Sequence, residues 1–165
     1  MRTHTVIESP IGPIALIAND GSLCGLHMSI PEDIDVGERY GIRDDISLRD
    51  AADQLNEYFA RTRTEFDLDL APQGNEFQMK VWDQLKLIPY GKTRSYGEIA
   101  EAVGGKSFAR AVGSANHVNP IAIIVPCHRV IGADGSLVGF GGGLKRKEFL
   151  LHLENPERPI ALTLF

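Results

Sequence analysis

Five consecutive residues, Pro126-Cys127-His128-Arg129-Val130, put a thiol, an imidazole and a guanidinium side by side. A thiol attacks only as thiolate, and an ordinary cysteine is only a few per cent ionised at neutral pH, so a nucleophilic Cys127 needs a base or a positive field close by. His128 and Arg129 could supply both. Pro126 fixes φ and removes a backbone donor, which favours a tight turn that presents the thiol in one direction. The competing reading is a buried cysteine at the end of a β-strand. On such an extended segment neighbouring side chains point to opposite faces, so Cys127 and His128 would meet only through a bridging water.

Hydrophobic spacing gives the elements that must hold this run. Phe77, Val81, Trp82 and Leu85 mark one face of a helix that begins near Asn75 and is stopped by Pro89. Ser95 caps a short helix through Val103, with Ile99 and Val103 inward. Gly104-Gly105 breaks the chain before a second helix from Ser107 to about Asn116. Two short helices across a glycine turn form a helix-turn-helix pattern, which alone fits a helical hairpin in a core as well as a DNA-binding unit. The apolar run Ile121 to Val125, the Cys127 segment, a hairpin turn at Asp134-Gly135, a glycine-rich stretch Gly139 to Gly143 and a last helix from about Leu144 to Glu154 follow.

Upstream of the breaker Pro72-Gln73-Gly74 the pattern is different. Thr3 to Glu8, Pro13 to Asn19 and Ser22 to Met28 read as strands, with Asn19-Asp20-Gly21 as a turn. Pro31 to Asp45 reads as acidic and irregular. Leu48, Ala51, Ala52, Leu55, Tyr58 and Phe59 then recur at helical spacing behind Ser47, a candidate N-cap, in a helix that could cover the sheet. The expected organisation is α+β: a small α/β domain over residues 1–71, then a mostly helical domain over residues 72–165.

The chain has 165 residues, 43% hydrophobic and 24% charged, which excludes a disordered, collagen-like or coiled-coil protein. No apolar run approaches the roughly 18 residues of a membrane span, and the start has no secretory pattern, so a soluble cytoplasmic protein with no membrane partner is expected. Two cysteines cannot form a disulfide framework. Cys24 and His27, with His4 nearby, lack a fourth zinc ligand, so neither metal nor cofactor is expected and Cys24 reads as a small core residue. The net charge of −5 argues against a nucleic-acid partner only as an average. Residues 1–71 hold 6 Lys or Arg against 14 Asp or Glu, a net −8, while residues 72–165 hold 11 against 8, a net +3.

Pro126-Cys-His-Arg-Val130, with Arg110-Ala-Val-Gly113, Asn119-Pro120 and Tyr96-Gly-Glu-Ile-Ala100 upstream, resembles the O6-alkylguanine-DNA alkyltransferase family, from about Phe77 to Glu154. The resemblance implies a ribonuclease-H-like α/β domain followed by a winged helix-turn-helix domain that binds DNA and carries an acceptor cysteine. It further implies DNA repair by single, irreversible transfer of an alkyl group from guanine O6, mainly methyl, to Cys127, with O4-methylthymine as a further candidate substrate. In this resemblance His128 deprotonates the thiol through a water and Glu154 orients the histidine. Asn119 braces the turn, and Tyr96 donates to guanine N3 to assist the leaving group. The carbonyls of Cys127 and Val130 accept the guanine amine, the Gly141 amide donates to O6, and the ring at Phe140 walls the base pocket.

The same resemblance makes Arg110 the residue that fills the stack when the base is flipped, with Ala109, Ala111 and Gly113 small enough for a helix to enter the minor groove of double-stranded alkylated DNA. Arg94, with Lys92 and Lys106, becomes a candidate phosphate contact. The protein would act as a monomer, with room for cooperative assembly on DNA. Most relatives have tyrosine where this chain has Phe140, which predicts slower reaction or an altered substrate range. Two other classes compete: a DNA-binding module without chemistry, whose relatives replace the acceptor cysteine, and a cysteine hydrolase, which needs an oxyanion site and turns over.

Overall fold

In the computed structural model residues 1–33 and 35–158 are described, and the chain divides into two compact units, Met1–Gln73 and the part from Gly74 onward. The sequence reading placed this break after Ala71. In the first unit, β1 (Arg2–Ile7), β2 (Ile14–Asn19) and β3 (Ser22–Met28) form antiparallel neighbours, and a short β4 (Ile42–Arg43) adds to the free edge of β1 in parallel, giving the order β3-β2-β1-β4. The turn between β2 and β3 uses Asp20 and Gly21, both at positive φ, as an Asn-Asp-Gly sequence permits. β2 is buried along Ile14, Ala15, Leu16, Ile17 and Ala18, so it is the centre of the core rather than an alternating surface strand.

The acidic segment from Pro31 to Asp45 is less irregular than its composition suggests. It contains helix α1 (Val36–Tyr40) and β4. The Asp35 side chain caps α1 by accepting from the Glu38 amide, and buried Tyr40 anchors it. Helix α2 (Arg49–Phe59) buries Ala51, Gln54, Leu55 and Tyr58 as expected, but its N-cap is Leu48, not Ser47, and carries no side-chain bond. Asp44 captures the Ser47 amide instead, at 3.0 Å, in a turn that ends before the helix begins. His4 Nδ1 lies 2.8 Å from the Gly41 carbonyl and His27 Nδ1 3.2 Å from the Tyr40 hydroxyl, so both histidines have protein partners. Cys24 is half-buried against the cluster of Ala15, Ile17 and Tyr40.

The second unit is built on three helices. Helix α3 (Glu76–Lys86) starts in a capping box in which Asn75 accepts from the Gln78 amide at 2.8 Å and Gln78 accepts from the Asn75 amide at 2.9 Å. It buries Val81, Trp82 and Leu85 against α4 (Tyr96–Val103) and α5 (Ala109–His117), and the Trp82 indole donates to the Ala115 carbonyl at 2.9 Å. Ser95 and Glu98 make a second capping box at the start of α4. Gly104 and Gly105 follow it, and a single 3₁₀ turn, Lys106–Phe108, leads into α5, so the α-helix proper starts two residues later than Ser107.

The short strands β5 (Arg94–Ser95) and β6 (Val130–Ile131) pair in parallel and tie the start of α4 to the Cys127 segment. The chain reverses at Asp134-Gly135, where Gly132 N donates to Ser136 O at 2.9 Å, but among the described residues no strand follows to complete a hairpin. The glycine-rich stretch then delivers α6 (Leu144–Glu154), which buries Lys147, Glu148, Leu150, Leu151 and Glu154 on one face. Among the described residues no helix is long and apolar enough to cross a membrane, and no three His, Cys, Asp or Glu side chains are arranged to hold a metal ion. Because α3 positions the other two helices, its cap matters to the whole unit. Asn75→Ala should lower unfolding stability by about 1 kcal/mol, read as a shift of the denaturant midpoint at unchanged slope.

Candidate active site

Ile121 to Val125 is fully apolar and buried, yet it is not a strand. It winds through turns in which Ile124 N donates to Ala122 O and Val125 N to Ile121 O, both at 2.9 Å. Ile123 sits at φ 72, a strained conformation for a β-branched residue. Burial of the run and Asn119 hold it there: the Asn119 amide donates to Val125 O at 2.8 Å while its Oδ1 accepts from Ile121 N at 3.1 Å. Asn119, expected to brace the turn, bonds two backbone groups ahead of the thiol.

Cys127–Arg129 is one turn of 3₁₀ helix, not an extended segment. The Val130 amide closes it on the Cys127 carbonyl, and buried Asn116 donates to that same oxygen at 3.2 Å. Both lone pairs of the Cys127 carbonyl are engaged, so a guanine amine could reach it only by displacing Asn116. The Val130 carbonyl accepts from the Lys147 ammonium at 2.5 Å and keeps one lone pair for a ligand.

His128 is completely buried and its Nε2 lies 2.6 Å from Glu154 Oε2. Arg129 donates from Nε to Glu154 Oε1 at 2.8 Å, from Nη2 to Oε2 at 3.0 Å and from Nη1 to the Ile88 carbonyl at 2.7 Å. The Gly91 amide adds a bond to Glu154 Oε1 at 3.2 Å. Burial alone would raise the Glu154 carboxyl, but the charges and hydrogen bonds of His128 and Arg129 outweigh it and hold the group well below the usual carboxylate range. An ionised Glu154 draws the proton of a neutral His128 onto Nε2. Nδ1 is then the basic nitrogen, and it is buried with no protein hydrogen-bond partner among the described residues.

Two further shifts define the chemistry. Burial lowers the His128 pKa from 6.5, with Arg129 and Lys147 adding to the effect and Glu154 opposing it. Burial pushes the Cys127 thiol up to about 11, against a smaller downward pull from Asn119 and Lys147. The imidazole stays neutral and the thiol stays protonated in the DNA-free protein.

An apolar cleft of about 660 Å³ opens along α5, lined by Tyr96, Ala109, Arg110, Gly113, Ser114, His117, Val118, Val138 and Gly139. It brings Arg110, which is exposed, onto the same surface as Tyr96, Ala109 and Gly113. Tyr96 also feels Cys127: burial first, then the thiol, raise its phenol above the ordinary value. Its hydroxyl donates to the Val138 carbonyl at 2.8 Å, so it must leave that bond to serve a ligand.

Other expected residues fall elsewhere. Ala111 is exposed outside the cleft lining, Phe140 is buried and also absent from the lining, and Arg94 is half-buried in β5. Gly141 is exposed, and a Cβ there would stand 3.1 Å from the His117 carbonyl, so the loop passes close to the end of α5. Lys92 and Lys106 are exposed. The sequence reading missed the roles of Arg129 toward Glu154, of Asn116 and of Lys147. Only the helical spacing of Lys147 and Glu154 could have signalled that both lie on the inner face of α6.

Family models match both parts of the chain: the ribonuclease-like domain of 6-O-methylguanine DNA methyltransferase over residues 3–72 and its DNA binding domain over residues 76–156. The methylated-DNA–protein-cysteine methyltransferase of Mycobacterium bovis is 51% identical over 165 residues, covering 100% of this chain and 99% of that protein. The protein of the same name from Methanosarcina acetivorans is 51% identical over 152 residues, 92% of this chain and 97% of that one. Among solved structures, Mycobacterium tuberculosis OGT in complex with DNA superposes with a TM-score of 0.85 at 52% identity over 99% of each chain. An O6-methylguanine DNA methyltransferase from Methanococcus jannaschii gives 0.68 at 29% identity, covering 94% of this chain and 95% of that one. By sequence and by structure, over the ribonuclease-like unit and the DNA-binding unit alike, the chain belongs to the 6-O-methylguanine DNA methyltransferase family.

Proposed function

We infer that the protein is a DNA repair protein that reverses O6-alkylguanine directly, by moving the alkyl group to its own Cys127. The observation that carries the assignment of Cys127 and His128 is the locked imidazole: Nε2 held by an ionised Glu154, Nδ1 buried and unpartnered, on the same turn as the thiol. The thiol proton passes to Nδ1 through a bridging water. The sulfur attacks the alkyl carbon, the carbon–O6 bond breaks, and its electron pair goes to the guanine. Tyr96 protonates or polarises guanine N3 so that the base departs without full negative charge. The thioether has no group to remove it, so each molecule reacts once.

The target carbon lies inside a duplex and the base must leave the stack, at a cost of a few kcal/mol. Arg110, on the exposed face of the second helix of the helix-turn-helix, is the residue placed to fill the gap. Ala109 and Gly113 beside it are small enough for α5 to enter the minor groove, where readout is nearly independent of sequence. The net +3 of residues 72–165 implies few phosphate contacts and a shallow salt dependence. A protein that samples many undamaged sites is served by such weak binding.

Incubation with excess duplex carrying one O6-methylguanine should add a single methyl to the intact mass, on the Cys127 peptide, and Cys127→Ser should add none. An unmodified protein that still binds the duplex would make it a sensing module, and release of product beyond one equivalent would make it a turnover enzyme. Cys127 is only 3% exposed, so an added methyl overpacks its turn and should cost about 1–3 kcal/mol of stability. Equal melting temperatures for the methylated and free proteins would contradict this. Because burial lowers the His128 pKa below 6.5, the base form survives to lower pH than in a free imidazole. Single-turnover transfer at saturating duplex should stay level from neutral pH down through 6.5 and decline only below it, and a half-maximal rate at or above pH 6.5 would remove His128 as the base.

A further inference from the structure

Asn116 reaches the thiol turn from α5. It is only 2% exposed, and its Nδ2 donates to the Cys127 carbonyl at 3.2 Å. That contact fixes which way the amide faces: turned over, its oxygen would meet a carbonyl oxygen, two acceptors with no hydrogen between them. Oδ1 is therefore the free end. It is buried and has no hydrogen-bond partner among the described residues. Folded proteins keep few such groups, and each calls for a reason. Packing does not supply one, since Val112 and Ala115 already bury apolar side chains on the same helix. Propping the Cys127 carbonyl needs only the N–H end.

The surroundings of the amide say what kind of donor would fit its oxygen. Asn116 touches the Cys127 carbonyl on one side and the Tyr96 phenol on the other: burial, then Cys127, raise that phenol, and a hydrogen bond from the Asn116 side chain opposes them. In the alkyl-transfer reading Tyr96 serves guanine N3. The ring carbon next to N3 bears the 2-amino group, so a base whose N3 meets Tyr96 presents two N–H donors to the groups beside Tyr96. Two donors need two acceptors. The Cys127 carbonyl has no lone pair to spare, because the Val130 amide and Asn116 take both, whereas the Val130 carbonyl keeps one.

We propose that Asn116 is a specificity-determining residue for guanine: its Oδ1 accepts one hydrogen of the 2-amino group while the Val130 carbonyl accepts the other. The amine then has no need to displace Asn116 from Cys127. The two ends of the amide do different work, Nδ2 holding the turn that carries the thiol and Oδ1 reading the base. A purine with hydrogen at that ring carbon leaves the oxygen unpaired in dry surroundings, where a missing hydrogen bond discriminates most strongly.

This assignment rests on the alkyl-transfer reading, and its test pairs a change in the protein with a change in the base. Single-turnover methyl transfer to the full-length protein is measured from two duplexes of one sequence, one carrying O6-methylguanine and the other O6-methylhypoxanthine, which has hydrogen in place of the 2-amino group. In the parent protein the hypoxanthine duplex should react at least about tenfold more slowly. In Asn116→Leu, which keeps the size of the side chain and removes the acceptor, the ratio of the two rates should fall by about tenfold, the worth of one hydrogen bond. A residue that only props the turn would, when replaced, slow both duplexes by the same factor and leave the ratio where it was. An unchanged ratio in a folded Asn116→Leu protein would overturn the proposal, as would equal rates from the two duplexes in the parent.

Should Asn116→Leu fail to fold, Asn116→Met, whose unbranched side chain adapts to the same space, is read by the same ratio with the same two outcomes. Asn116→Asp keeps an oxygen in place and should keep the preference for the amine; loss of the preference there would also count against Oδ1 as the acceptor. Absence of transfer from O6-methylguanine to the parent protein would overturn the repair reading, and the Asn116 assignment with it, whereas an unchanged ratio with transfer intact touches Asn116 alone.

Discussion

The second unit is organised around one buried carboxylate. Glu154 closes α6, and its two oxygens take bonds from His128 Nε2, Arg129 Nε, Arg129 Nη2 and the Gly91 amide. Moving a carboxylate out of water costs several kcal/mol unless its lone pairs are filled by well-placed donors. Satisfying that requirement forces three separate pieces of chain together: the end of α6, the Cys127–Arg129 turn and the loop after α3. Arg129 extends the clamp to the Ile88 carbonyl, so the same guanidinium fixes the loop that Pro89 begins. The orientation of the His128 ring follows from this charge. Any group that took its place at Glu154 would have to satisfy a guanidinium, an imidazole and an amide at once.

Strain is stored just ahead of the thiol turn, in the apolar run. Ile123 holds a positive φ that is unfavourable for a β-branched residue, while Pro126 sits at φ −82, close to the value its own ring imposes. Complete burial of the apolar run and the two bonds of Asn119 over-determine the backbone, so the strain persists. The outcome is a thiol turn whose backbone is set before any ligand arrives. The electrostatics are not set in the same way. Burial keeps the sulfur protonated and the imidazole neutral.

The parts of this arrangement that could be read from the sequence were those with local causes. Asn75 and Ser95 announce their helices because a side chain of fixed reach caps an amide three residues away. Gly104-Gly105, Pro89 and the boundaries of α6 fall where breakers and spacing put them. Ser47 does not cap because its amide and its hydroxyl both turn back to Asp44, three residues upstream, and acidity alone concealed α1 and β4. The apolar run Ile121 to Val125 has strand composition, but its fold is decided by Asn119 and by burial, neither of which leaves a period in the sequence. Lys147 and Glu154 were hidden by a different cause. A buried face normally shows as apolar spacing, and here it carries Lys147, Glu148 and Glu154, so α6 loses the pattern that would have assigned its inner side. The resemblance supplied Glu154 because it reads positions rather than periods, while Lys147, Asn116 and the clamp by Arg129 came only with the coordinates.

The Val138 carbonyl joins the cleft to this buried interior. It accepts from the Tyr96 hydroxyl at 2.8 Å and from the Lys147 ammonium at 3.0 Å, one donor on the cleft side and one within the unit. A ligand that drew the Tyr96 hydroxyl to itself would leave the Val138 carbonyl its bond to the ammonium. An unsatisfied carbonyl would cost about 1–3 kcal/mol, and the shared arrangement reduces the change to an exchange of one hydrogen bond for another. The phenol is thus held in a defined place while the cleft is empty and released at little cost when it fills. Such an exchange lets a donor be preorganised without being locked. It also accounts for a lysine that pairs with no carboxylate among the described residues: its removal would deprive two carbonyls of a donor, one beside the thiol turn and the other beside the phenol.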